Sequence, residues 1–135
     1  MFSKIDKTAH PPKFKPLLVY DGNCGFCKYW IIKWKRLTYD HIDYSPYQKV
    51  LNQFEDIPEH HFKEAVRFIN LDGTVGNGPE AAFQTLKYKK RYRFLHRWYT
   101  KYTWFQKLSD FAYQWVADHR NFLFKVSRFL FGKKP

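Results

Sequence analysis

The sequence has no long apolar run. None approaches the roughly 18 uncharged apolar residues that a transmembrane helix needs, and the N-terminal segment MFSKIDKTAHPPKFKP lacks the apolar stretch of a secretory signal. We therefore expect a cytoplasmic protein. Cysteine is scarce as well, since the 135 residues contain two. In a reducing cytosol a Cys-x-x-Cys pair is more often redox-active or metal-binding than a permanent crosslink.

Acidic residues are rare in the second part of the chain. Residues 87–135 carry 13 Lys and Arg against 2 Asp and Glu, whereas residues 1–86 carry 11 against 10. The first part has the charge balance of an ordinary domain, and the second is a basic, aromatic extension. This asymmetry within a net charge of +12 points to an anionic partner.

The two cysteines fall in a strand-turn-helix pattern. The apolar run Leu17–Tyr20 is typical of a buried strand, and the turn sequence Asp-Gly-Asn follows it. A helix is expected next, because apolar residues recur at i, i+3, i+4 and i+7 and form one stripe. The stripe consists of Cys27, Trp30, Ile31 and Trp34.

Later patterns predict an α/β fold. HIDYSP, residues 41–46, is typical of a second strand, and a short helix should end before Pro58. Residues 64–75 fit a β-hairpin that turns at Asp72-Gly73, and Pro79 opens a helix at its favoured first position. The order β-α-β-α-β-β-α indicates a mixed sheet flanked by helices, and the pattern beyond Lys87 is helical and cationic.

The length and the 44% hydrophobic content suit a single domain over residues 1–135. Within it we expect a loose leader at 1–16, a redox core at 17–86 and a cationic helical extension at 87–135.

The predicted turn places Cys24 at or near a helix N-terminus. Free backbone N–H groups and the helix dipole stabilise an anion there, so the pKa of Cys24 should be depressed. Cys27 lies one turn later on the same face, within reach of a disulfide after modest adjustment. We therefore predict that Cys24 is the nucleophile and that Cys27 is the more buried, resolving thiol.

Asp21 lies three residues before Cys24 and has two interpretations. It could accept the proton of Cys27 when a mixed disulfide is resolved, or it could be a turn or capping carboxylate.

Zinc binding is the alternative chemistry for the cysteine pair, but such a site usually needs a second Cys or His pair. His60 and His61 are adjacent rather than spaced like ligands, and His10 and His41 lie on different predicted elements. We therefore expect no metal site.

The stretch YDGNCGFC, Tyr20 to Cys27, resembles the DCC family of thiol-disulfide oxidoreductases. Asp21, Cys24 and Cys27 match its D-x-x-C-x-x-C signature residue by residue. NLDGTVGNGPEAA and AYQWVADHRNFL resemble later family patterns, the second being a Tyr/Trp helix that ends in an Arg. The similarity spans roughly residues 17 to 132.

The resemblance implies a thioredoxin-like fold and protein-disulfide reduction or exchange. It implies a disulfide-containing substrate, which we expect to be a protein, and an external reductant as partners, and no prosthetic group. One departure concerns the cis-proline that thioredoxins place before the third core strand, facing the CxxC. Pro58 lies several residues upstream of that strand and Pro79 lies after the hairpin.

Residues 87–135 allow three interpretations. Their aromatic faces could complete the core while Lys and Arg stay solvated. They could instead lie on an anionic membrane surface, making the protein peripheral to the membrane, or bind nucleic acid, which no accompanying motif supports. A non-catalytic basic module that binds a membrane surface or nucleic acid is accordingly the alternative to the redox function.

Overall fold

A computed structural model describes residues 4–38, 40–88 and 92–131. Four strands form one mixed sheet in the order β2-β1-β3-β4. The central strand β1 pairs in parallel with β2 and antiparallel with β3, which in turn pairs antiparallel with β4. The strands are β1 Leu17–Tyr20, β2 Asp43–Pro46, β3 Arg67–Ile69 and β4 Val75–Asn77.

Seven helices flank this sheet within the described ranges. They are α1 Gly25–Thr38, α2 Tyr47–Val50, α3 Glu59–Glu64, α4 Pro79–Leu86, α5 Arg93–Lys101, α6 Thr103–Asp118 and α7 Arg120–Phe131. The predicted order of elements is confirmed up to α4 except that it lacks α3, and the helical nature of the C-terminal part is confirmed.

The alternation of side chains along β1 divides the interior into two cores. Leu17 and Val19 face one side of the sheet and Leu18 faces the other. The first core also contains Tyr47, Phe54, Ile57, Phe62, Ile69 and Val75. The second contains Ile31, Ile42, Val66, Phe68 and Ala81, with Tyr113 of α6 packed against it. The helix that carries Cys27 therefore shares a layer with α4 and α6.

This mixed sheet with helices on both faces is a thioredoxin-like α/β fold, as the sequence indicated. The loop after β1 leads directly into α1, and the next strand returns in parallel on the sheet edge. A parallel connection of this kind brings the start of α1, and with it Cys24, to the end of the sheet where β1 stops.

Part of the segment expected to be a loose leader is held along β4. The backbone N–H of Thr8 donates to the carbonyl of Gly73 over 2.9 Å, and that of Val75 donates to the carbonyl of Asp6 over 3.0 Å. Asp56 accepts hydrogen bonds from the Thr8 hydroxyl and from the backbone of Ala9. The described part of the segment therefore lies along the outer edge of β4 and pairs with backbone groups beside it.

Candidate active site

Cys24 stands immediately before the first residue of α1. Its backbone N–H donates to the carbonyl of Asp21 over 3.2 Å, and its own carbonyl accepts from the N–H of Lys28 over 3.1 Å. These bonds close the turn after β1 and start the helix. The predicted strand-turn-helix placement of Cys24 is therefore confirmed.

The two thiols face each other across the first turn of α1. The backbone N–H of Cys27 donates to Sγ of Cys24 over 3.2 Å, and both cysteines are free and half-buried. A hydrogen bond from the Cys27 thiol lowers the pKa of Cys24 most, and the N–H of Cys27 and the charge of Arg120 lower it further. Burial and the charge of Asp21 oppose this shift, and the pKa of Cys24 comes to about 6.

Cys27 has the opposite electrostatic environment. Its hydrogen bond to Cys24 raises its pKa, and burial and the negative charge of the Cys24 thiolate raise it further. Cys27 therefore stays protonated while Cys24 is ionised. The pKa values of two thiols are expected to move apart in this way when the thiols share one site and one proton.

The Cys27 side chain lines an apolar cavity of about 200 Å³ between α1 and the helices packed on it. On the α1 side this cavity is lined by Phe26 and by the whole stripe predicted from the sequence, Cys27, Trp30, Ile31 and Trp34. The opposite wall consists of Val66, Ala82, Tyr113, Val116, Ala117 and Arg120. An environment of this kind disfavours an ionised thiol, because charge is poorly solvated there.

Arg120, at the start of α7, brings a positive charge to the pair. Its guanidinium donates to the carbonyl of Glu64 over 3.3 Å, which fixes its position. The same side chain lines both the cavity at Cys27 and the open pocket at Cys24. Its charge lowers the pKa of both thiols. Arg120 is thus the cation of the site.

Tyr113 of α6 contacts the residue that precedes β3, and both residues line the cavity at Cys27. Its hydroxyl accepts a hydrogen bond from the backbone N–H of Val66 over 3.0 Å, and burial raises its pKa to about 12. Val66 directly precedes β3, where thioredoxins carry their proline. Pro58 instead lies before α3 and Pro79 begins α4, so neither of these prolines lies directly before β3.

Asp21 has a structural role in the turn. Its carboxylate accepts hydrogen bonds from the backbone N–H of Asn23 over 2.9 Å and from the side-chain amide of Gln48 over 3.2 Å. The first bond is the local bond by which Asp residues commonly stabilise turns. The carboxylate also lines the pocket that holds Cys24.

Within the described ranges, one group of possible metal ligands comes together. It consists of His60, His61 and Glu64, whose ligand atoms lie within 4.8 Å of one another, and it includes neither cysteine. The spacing of the two adjacent histidines did not predict this group. Glu64 approaches them because α3 places residues three and four apart on one face.

The sequence did not assign Arg120 or Tyr113 to the dithiol. Both lie in AYQWVADHRNFL, whose resemblance to the family pattern was the available signal. Their approach to Cys27 depends on the packing of α6 and α7, which residue spacing does not reveal.

The family described as DCC1-like thiol-disulfide oxidoreductase matches this chain over residues 18–126. The chain belongs to this family. The resemblance found in the sequence is thereby confirmed, and family membership together with the facing Cys24 and Cys27 supports a thiol-disulfide redox function.

No curated protein and no solved structure matches the chain. In the part of the chain that the structure describes, no helix is long and apolar enough to cross a membrane.

Proposed function

We propose that this protein reduces or exchanges disulfides in protein substrates, with Cys24 as the nucleophile and Cys27 as the resolving thiol. The observation that carries the proposal is the hydrogen bond from the Cys27 N–H to Cys24 Sγ at the start of α1. A thiolate is the attacking form in thiol-disulfide exchange, and a pKa of about 6 makes Cys24 ionised at neutral pH.

In the first step the Cys24 thiolate attacks one sulfur of a substrate disulfide. A new S–S bond joins Cys24 to the substrate, the original S–S bond breaks, and the other substrate sulfur leaves as a thiolate. The charge of Arg120 and the hydrogen bond from the N–H of Cys27 stabilise the Cys24 thiolate before the attack.

The mixed disulfide changes the acidity of Cys27. Once Cys24 is bonded to substrate it carries no charge, so the charge repulsion that raised the pKa of Cys27 disappears while the positive charge of Arg120 remains. We propose that Asp21 accepts the Cys27 proton, either directly or through solvent. The resulting Cys27 thiolate attacks Cys24 Sγ, the bond to substrate breaks, and the second substrate thiolate leaves.

The product is a Cys24–Cys27 disulfide, formed as the substrate gains two electrons. An external dithiol reductant must supply two electrons and two protons to restore the free pair, and no prosthetic group takes part. We place the cycle in the cytoplasm, where such reductants keep thiols reduced.

We further propose that residues 1–135 act as one domain. Arg120 of α7 approaches the dithiol, and the hydroxyl of Tyr29 in α1 donates to the carbonyl of Ser127 in α7 over 3.3 Å. In this proposal helix α7 of the cationic extension contributes a residue to the dithiol site and packs on α1, so the extension and the redox core act together.

Reduction of insulin, with dithiothreitol as the recycling reductant, tests the redox proposal. We expect Cys24→Ser to lose turnover. In the absence of dithiothreitol, reduced Cys27→Ser should accumulate a covalent complex with substrate that intact-mass spectrometry detects. Lys28→Ala, an exposed change on the same helix, is the matched control and should retain wild-type activity. Equal turnover by the wild type and Cys24→Ser would refute the proposal.

A further inference from the structure

Helix α6 presents large apolar side chains to solvent. Four of them recur at i, i+4, i+7 and i+11 and so share one face of the helix. This α6 face consists of Trp104, Leu108, Phe111 and Trp115, which are 59%, 57%, 65% and 48% exposed. Single exposed apolar residues are ordinary, but a continuous row of this kind marks an interaction surface.

The opposite side of α6 faces the protein and contains polar groups. Ser109 and Asp110 are buried, and Asp110 accepts a hydrogen bond from the hydroxyl of Tyr99 over 2.7 Å. The ammonium of Lys4 forms an ion pair with the same carboxylate over 2.8 Å. These contacts fix the rotation of α6, so the outward orientation of its apolar face is built into the fold.

The part of the sequence that contains α6 is cationic. Residues 87–135 contain 13 Lys and Arg and only two acids, Asp110 and Asp118, and Asp110 is buried in its contacts with Tyr99 and Lys4. Lys101 and Lys107 are exposed beside the start of the face. A partner for this surface must therefore be both apolar and negatively charged.

We propose that the α6 face binds the surface of an anionic phospholipid bilayer, with α6 lying in the interfacial plane. Trp side chains are favoured at the boundary between headgroups and acyl chains. Leu108 and Phe111 supply the apolar area that inserts, and the flanking Lys and Arg attract anionic headgroups. No helix among the described residues can span a bilayer, so the contact is peripheral.

Two other occupants fit these observations less well. A second copy of the chain would bring two strongly cationic surfaces together, which self-repulsion opposes. A nucleic acid is held by cations interleaved with stacking rings, but none of the four positions of the α6 face is a cation, and Leu108 offers no ring.

The C-terminal end of α6 reaches the site of the proposed redox chemistry, because Ala117 and Asp118 line the open pocket at Cys24. Phe122 is 62% exposed and lines the open pocket at Cys24. Membrane docking would therefore bring substrate disulfides at the bilayer surface within reach of Cys24, a consequence that rests on the proposed function. The docking itself does not depend on the cysteines.

Co-sedimentation of the 135-residue chain with lipid vesicles tests the docking. We expect binding at low salt to vesicles that contain phosphatidylglycerol, at least about tenfold tighter than to phosphatidylcholine alone, because each surface cation adds to the attraction. The variant with Trp104, Leu108, Phe111 and Trp115 all changed to Ser should lose binding. The same assay on Cys24→Ser should be unchanged, which separates this proposal from the redox function.

A matched control changes exposed apolar residues elsewhere. Phe14, Ile32 and Leu71 are 87%, 43% and 47% exposed, and the triple change of these residues to Ser should leave vesicle binding intact. Circular dichroism of both variants verifies that they are folded.

Tryptophan fluorescence locates the contact without removing its apolar area. Vesicles should shift the wild-type emission to shorter wavelength, and Trp104→Phe with Trp115→Phe should abolish most of that shift while binding persists. The proposal is overturned if anionic vesicles do not bind, or if the quadruple Ser variant binds as well as the wild type. It is equally overturned if the α6 face instead mediates a dimer or RNA binding in the absence of vesicle binding.

Discussion

The ring of Phe124 in α7 lies directly against Gly25, the first residue of α1. A Cβ at position 25 would lie 2.7 Å from the nearest ring carbon, well inside normal contact distance. The ring also packs edge-to-face with Tyr29, and the guanidinium of Arg128 lies over it. The ring is therefore held by packing on its other sides, and it contacts the start of the redox helix closely while Gly25 stays exposed.

We predict that Gly25→Ala destabilises the protein by about 1–3 kcal/mol, because the added methyl group overpacks the contact with Phe124. Helix propensity alone would favour Ala at this position. Urea denaturation of the reduced protein measures the change in the free energy of unfolding.

A double-mutant cycle supplies the control for this prediction. In a Phe124→Leu background the ring is gone, and Gly25→Ala should become neutral or stabilising. The same destabilisation in both backgrounds would contradict the contact described here.

Arg120 should control the acidity of the nucleophile. Removing its charge in Arg120→Ala should raise the pKa of Cys24 by roughly 0.5–1 unit, because an opposite charge favours the thiolate, while Arg120→Lys should largely preserve it. The pH dependence of Cys24 alkylation reports the shift. Lys125→Ala, an exposed cation on the same helix, should leave that profile unchanged. An unshifted profile in Arg120→Ala would exclude an electrostatic role for Arg120.

Asp21→Asn should separate two effects of this carboxylate. Its negative charge raises the pKa of Cys24, so the neutral amide should lower that pKa and leave attack on substrate at least as fast at acidic pH. If Asp21 accepts the Cys27 proton, release of substrate from the mixed disulfide should slow by about 10²-fold or more. Stopped-flow measurement of the two steps tests this, and unchanged release would leave Asp21 with its role in the turn alone.

The stability of the reduced protein should depend on the ionisation of Cys24. Its pKa is depressed from 9.0 to about 6 on folding, so the unfolded state binds more protons between these values. Stability from the thiolate is therefore fully present above the unfolded pKa and is lost as the pH falls through the folded one.

We therefore expect the free energy of unfolding of the reduced wild type, relative to Cys24→Ser, to increase from roughly pH 6 to pH 8. Taking the difference between the two proteins removes the contributions of histidines that titrate in the same range. If the free energies of unfolding of the two proteins ran parallel from pH 6 to pH 8, Cys24 would not have a lowered pKa in the folded state.

Local sequence patterns predicted the elements that carry the dithiol. The strand Leu17–Tyr20, the turn after it and the apolar stripe of α1 depend on residues close in the chain, so their periodicities were sufficient. Helix α3 was missed because Glu59–Glu64 spans six residues and buries one of them, Phe62, which leaves no helical repeat to detect.

Long-range packing could not be predicted in the same way. Arg120 is distant from Cys24 in the sequence and reaches the site only because α7 packs on α1. The sequence shows that apolar residues such as Trp115 and Phe122 lie among cations in the C-terminal helices. Helical periodicity does not tell whether the apolar face of such a helix packs on the core or faces solvent. Both residues are exposed.

The most direct test of the account is the pH profile of alkylation of the two thiols in the reduced wild type. Peptide mass spectrometry after brief iodoacetamide treatment resolves the residue that reacts. We predict that Cys24 is modified first, with a midpoint near pH 6, while Cys27 stays largely unmodified. Preferential modification of Cys27, or a Cys24 midpoint at the ordinary value near 9.0, would contradict the assignment of Cys24 as the nucleophile.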